Sequence, residues 1–131
     1  MNFRTVASAN GIVSIGYGTA ALVVPGALTS LYGVDLTARE GLMVSLLGAS
    51  YLGFGIMAAA ARGVTDAAAR AALAAGAIAG WGLSAPVFVM GLLADQANAL
   101  GWTAVALQVA FALAWTFVLL EVRRSRARAT S

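Results

Sequence analysis

The chain has 131 residues, of which 61% are hydrophobic and 10% charged, with a formal net charge of +3 carried by Arg alone among the basic side chains. Soluble globular domains run nearer to roughly 45 to 50% apolar and about 25% charged, so a soluble fold is excluded for want of polar surface. Cys and His are both absent, which removes disulfides, thiolate nucleophiles, Cys/His zinc sites, axial His ligands for haem and the commonest acid–base side chain.

Four stretches without a charged residue follow one another, at 8–31, 43–61, 71–93 and 101–120. A helix needs roughly 20 apolar residues to cross about 30 Å of hydrocarbon, so each is expected to be a membrane-spanning helix. The length leaves room for one domain with short loops, and short loops make consecutive helices antiparallel neighbours. The expected fold is all-α: an integral membrane four-helix bundle, up-down-up-down, followed by a basic tail at 121–131.

Along the first stretch, Asn10, Ser14, Gly18 and Ala21 form one stripe. It is too long for the apolar region of a signal peptide, about 7 to 15 residues, and is expected to be retained. On the second, Gly41, Ser45, Gly48, Gly55 and Ala59 fall on a face; on the third, Gly76, Gly80 and Ser84 recur every fourth residue. Small residues let helix backbones approach closely in a membrane, so Ser14, Gly18, Gly48, Gly55, Gly76, Gly80 and Ser84 are read as packing seams. The fourth stretch aligns Ala104, Gln108, Phe111 and Trp115, with Trp102 at its start suited to an interfacial anchor.

Pro25 and Pro86 each sit in the second half of their stretch. Each removes an N–H and clashes with the carbonyl four residues back, so both are expected to kink their helices. A kink is a packing feature by default and part of a binding site where broken helices line one.

Charge sorts by loop. Arg4, Arg62, Arg70, Arg123, Arg124, Arg126 and Arg128 flank one side of the spans, and Arg39 alone lies on the other. Positive loops stay in the cytoplasm, so both termini are expected there, in the inner membrane of a bacterium. The Arg cluster after the fourth span also suits anionic lipid headgroups.

Between Gly16 and Arg62 the chain carries Gly18, Pro25-Gly26, Leu31-Tyr32-Gly33-Val34-Asp35, Gly48, Leu52-Gly53-Phe54-Gly55 and the closing Arg62. This resembles small bacterial four-helix membrane proteins of DoxX-like style. The resemblance covers about a third of the chain and implies the fold, with no catalytic residue to carry over. The redox-protective complexes associated with DoxX find no redox-active residue here to extend that role.

No carboxylate lies within a span, which argues against proton coupling. No Ser has a His or Lys partner to activate it, and the Gly-aromatic-Gly triplets lack the Lys and Ser/Thr of a phosphate loop. No catalytic, metal-binding or cofactor-binding residue is therefore assigned, and nucleic acid is not an expected partner. The leading expectation is a non-enzymatic bundle acting through helix contacts, as a homo-oligomer or as an accessory subunit of a membrane complex. The alternative is a passive carrier or binder of a small or lipophilic molecule, in a pocket drawn from Tyr17, Tyr51, Trp81, Ser84 and Gln108. Tyr17 and Tyr51 fall at similar depth on adjacent antiparallel helices and are expected to face each other.

Overall fold

The computed structural model describes residues 2–129. Thr130 and Ser131, the end of the expected basic tail, lie outside the described residues. The described chain forms α1 (Phe3–Val23), α2 (Pro25–Ser30), α3 (Ala38–Ala61), α4 (Ala67–Leu93) and α5 (Gly101–Ala129), with no strand among them. Apart from the short α2, each is long and apolar enough to cross a membrane.

Helix boundaries are set by caps and by one proline. α3 begins before the apolar stretch because Thr37 and Glu40 form a capping box: Glu40 Oε2 accepts from the Thr37 N–H at 2.7 Å and from its hydroxyl at 2.6 Å. In return the Glu40 N–H donates to Thr37 Oγ1 at 3.4 Å, so the two backbone donors at the helix start are satisfied reciprocally. α4 likewise starts at Ala67 because Asp66 Oδ1 accepts from Ala69 N at 2.7 Å. At the other end of the chain, α5 does not stop at 120 but runs on through Arg123 and Arg124, with Arg126 and Arg128 in its last turn. Cations there complement the partial negative charge of a helix C-terminus.

The two prolines behave differently. Pro25 ends α1 rather than bending it: Val24 leaves the helical region (φ −133°, ψ 56°) and Pro25 becomes the first residue of α2. The residue before a proline is pushed out of the α conformation, and the first position of a helix has no use for the missing N–H. α4, by contrast, continues through Pro86, and beyond it the buried Leu92 packs over Gly101 at the start of α5.

The helices pair as two antiparallel hairpins. In the first, α1 and α3 touch backbone to backbone. A Cβ added at Gly48 would stand 2.5 Å from Leu22 N, one at Gly55 2.7 Å from Ile15 N, and one at Gly18 would collide with Leu52 N. The partners run backwards along α1 as α3 advances, and only glycine permits the approach. The second hairpin packs α4 on α5 through Ala74, Ala77 and Trp81, buried with Phe111, Trp115 and Val118.

The stripe at Gly76 and Gly80 is not a contact between helices of the described chain. A Cβ added at Gly76 or Gly80 would meet nothing within 4 Å. The buried face of α4 is Ala74, Ala77, Trp81 and Ala85 instead, because the Trp81 indole takes far more apolar area out of solvent than a glycine stripe. The third helix, α4, is accordingly not backed against α3. Tyr51 and Trp81 stand between them with ring centroids 6.0 Å apart, and a groove of about 350 Å³ runs alongside.

The polarity of the molecule is that of a protein solvated by hydrocarbon. Ile12, Leu83 and Leu93 are 74%, 73% and 73% exposed, whereas Asn10, Ser14 and Gln108 are buried.

Candidate functional site

Three joints hold the hairpins together. Near the middle, Asn10 on α1 is fully buried, and its Oδ1 accepts from Trp81 Nε1 at 2.6 Å and from Trp115 Nε1 at 3.1 Å. Its amide nitrogen donates to Ser14 Oγ at 3.4 Å. An amide oxygen has two lone pairs, and here one helix satisfies two indoles from the other hairpin with both. At one end the Arg70 guanidinium lies 5.1 Å from the centre of the Phe3 ring, its Nε donating to Val64 O at 2.7 Å. At the opposite end Asn98, between α4 and α5, donates from its backbone to Tyr32 O at 2.7 Å and from its side chain to Leu31 O at 3.0 Å.

Between the middle joint and the Asn98 end lies a cavity of about 120 Å³. Tyr17 of α1 and Tyr51 of α3 meet edge to face there, centroids 5.4 Å apart, so these two do face each other. Trp81, stacked on Phe111 at 5.0 Å, supplies a third wall. Tyr32 and Phe88, in edge contact at 6.5 Å, also line the space. Tyr32 reaches it because the chain breaks at Val24 and turns after α2, with Gly33 in the left-handed region at φ +74°.

Gln108 of α5 lines the same cavity. Its side chain is 4% exposed, and its Oε1 is a buried acceptor with no hydrogen-bond partner. Buried polar atoms are satisfied in the great majority of cases, and leaving one unpaired costs about 1 to 3 kcal/mol. No charged residue lines the cavity.

Of the residues read from the sequence as pocket candidates, the structure brings Tyr17, Tyr51, Trp81 and Gln108 to one cavity. Ser84 stands apart from it, in the neighbouring groove with Tyr51, Trp81, Gly76 and Gly80, and its hydroxyl donates to Trp81 O at 3.0 Å. Pro86 belongs to neither; it lines a shallow depression between α4 and α5. Ser14, Gly18, Gly48 and Gly55 are buried at the α1 and α3 contact. Arg62 closes α3 on the surface, and Arg123, Arg124, Arg126 and Arg128 are exposed on the last turns of α5.

Sequence reasoning missed Tyr32 and Phe88, whose position depends on a reversal after α2 that periodicity does not reveal. It also missed Asn98, although an Asn in a short polar loop is a known turn former.

Searched against family models, curated proteins and solved structures, the chain finds no match.

Proposed function

We propose that this is a non-enzymatic integral membrane protein that holds a small lipophilic molecule in the cleft between its two hairpins. The observation that carries the reading is Gln108, a buried amide oxygen without a partner beside an aromatic-walled space. A protein interior places an unsatisfied polar group where something else completes it more often than it leaves the group bare. Ligand sites of this kind are largely apolar with a few polar groups that fix orientation, and they occur between helices of bundles. In this reading the chain crosses a bacterial inner membrane in an up-down-up-down course with both termini in the cytoplasm, which the Arg distribution supports. The likeness of Gly16 to Arg62 to DoxX-like proteins belongs to the same reading, for the fold alone.

Native mass spectrometry of the protein released from lipid nanodiscs tests it. The wild-type chain should carry a small non-phospholipid adduct, and Ala104→Phe, which fills the cavity from α5, should lose it. A wild-type chain without any such adduct, its cavity occupied by water alone, would count against the reading.

A second reading, helix contact with another membrane protein or a second copy, is favoured by Gly76 and Gly80, which face outward with nothing against them. Cross-linking in nanodiscs through cysteines placed at Gly76 and Gly80 examines it; a strictly monomeric, partner-free species would remove it.

A further inference from the structure

We infer that the ligand is a neutral amphiphile with a hydroxyl-bearing single-ring head, which donates to Gln108, and a linear apolar tail that leaves between α3 and α4 across Gly76 and Gly80. The inference rests on the cleft-binding reading above and specifies its occupant.

The head follows from what the cavity offers. The buried atom without a partner is an acceptor, so a donor on the ligand completes it, whereas a ketone, ether or ester oxygen would engage only the amide nitrogen. An ammonium would donate, but none of the lining residues is a carboxylate, and an ion taken from water without a counter-charge costs several kcal/mol or more. A hydroxyl is the small neutral donor that fits. Its carrier is ring-sized: a dry cavity of about 150 Å³ takes up a benzene-sized guest, and this one measures about 120 Å³. The faces and edges of Tyr17, Tyr51 and Trp81 around it favour an aromatic guest through offset and edge contacts.

The tail follows from how the cavity opens. Leu47, Tyr51 and Trp81 line both the cavity and the adjoining groove of about 350 Å³, so the two spaces share a wall. The groove contributes almost no polar atoms apart from Ser50 and Ser84, and both hydroxyls already donate to backbone carbonyls, of Leu46 and Trp81. Gly76 and Gly80 form its floor on α4, where side chains would otherwise fill it. The groove lies along the outer flank of the bundle, so a tail lying in it is continuous with lipid, and the molecule reaches the cavity sideways without crossing water.

The test uses the full chain in nanodiscs, with Trp102→Phe to remove the exposed indole, and reads heavy-atom quenching by 4-bromophenol and by 4-bromoanisole, which lacks the donor; of the two remaining indoles, Trp81 lines the cavity and Trp115 does not. The expected result is saturable quenching at a concentration about tenfold lower for the phenol, a ratio of the size one hydrogen bond gives. Gln108→Leu should bring the two probes within about twofold, and Ala104→Phe should abolish both. If both probes quench equally and Ala104→Phe still abolishes them, the hydroxyl assignment is overturned while cleft binding stands. If neither quenches saturably, both fall.

The tail is read separately by competition. Gly80→Leu should weaken 4-octylphenol as a competitor at least several-fold and leave 4-methylphenol unchanged; equal strength for 4-octylphenol in both proteins would overturn the route over α4. The open space at Gly80 makes this variant compatible with the fold.

Discussion

Asn10 and Trp81, 71 positions apart in sequence, share a hydrogen bond of 2.6 Å at the centre of the molecule. The same carbonyl oxygen serves Trp115, so one amide links α1 to both helices of the second hairpin. Polar contacts of this kind are rare inside the bundle, and the fold depends on them where small-residue packing is absent.

Asn10→Leu should therefore strand two indole N–H groups. Interhelical hydrogen bonds in membranes are worth about 0.6 kcal/mol on average and up to roughly 2 kcal/mol, so the loss of two should come to about 1 to 3 kcal/mol. Unfolding in mixed detergent should show it as a shift of the midpoint, accompanied by a changed Trp emission spectrum. An unchanged midpoint would mean that the indoles contribute nothing to the joint.

Gly48 and Gly76 look alike in sequence and should respond oppositely. Gly48→Ala places a Cβ 2.5 Å from the backbone of Leu22 and must push the hairpin apart, at a cost of about 1 to 3 kcal/mol typical of overpacking. Gly76→Ala meets open space and gains helix propensity, of the order of 1 kcal/mol. Thermal unfolding of the two variants side by side measures the contrast; equal behaviour would contradict the one-sided seam.

At the far joint, Asn98→Ala removes the side-chain bond to Leu31 O and the one its Oδ1 accepts from Leu100 N, and leaves the backbone bond to Tyr32 O. The expected loss is about 1 to 3 kcal/mol, at about 0.5 to 1.5 kcal/mol for each bond. Hydrogen exchange should accelerate locally at residues 31–34 and 98–101, with the α1 and α3 hairpin unaffected.

Gln108→Leu should raise stability. Replacing an unpartnered buried amide by an apolar group of similar size removes a desolvation cost of about 1 to 3 kcal/mol, and stabilising changes at functional positions are a familiar exchange of activity for stability. A higher unfolding midpoint together with loss of the phenol's advantage over the anisole would fit the proposed site. A lower midpoint would show that Gln108 has a structural partner.

The apolar composition made the four long helices legible, and the stripe through Asn10 and Ser14 was visible as a repeat of polar positions. Charge-free stretches misplace helix starts, however, because Thr37, Glu40 and Asp66 lie outside them and do the capping; the Thr-x-x-Glu signature at 37–40 was available and carries the information. Gly76 and Gly80 show a limit of spacing alone. A stripe of small residues marks where another surface can come close, and whether one does depends on the competing face, here the one that buries Trp81. Pro25 and Pro86 are chemically identical, yet one starts a new helix and the other lies inside one, a difference that the residue type alone does not carry. In the cleft, Tyr17 and Tyr51 followed from depth and helix direction, while Tyr32 and Phe88 depended on the path of the chain after Val24.

The backbone contact between α1 and α3 has a mechanical consequence. Where Gly18, Gly48 and Gly55 bring the two backbones together there is little side-chain freedom to absorb movement, so that hairpin behaves as a stiff plate. The joint to α4 and α5 is made of rings, which turn about their own torsions. Trp81 is fixed by Asn10 and by its stack on Phe111, so a change in the volume enclosed between the hairpins is expected at the rings of Tyr17 and Tyr51 before the α1 and α3 contact yields.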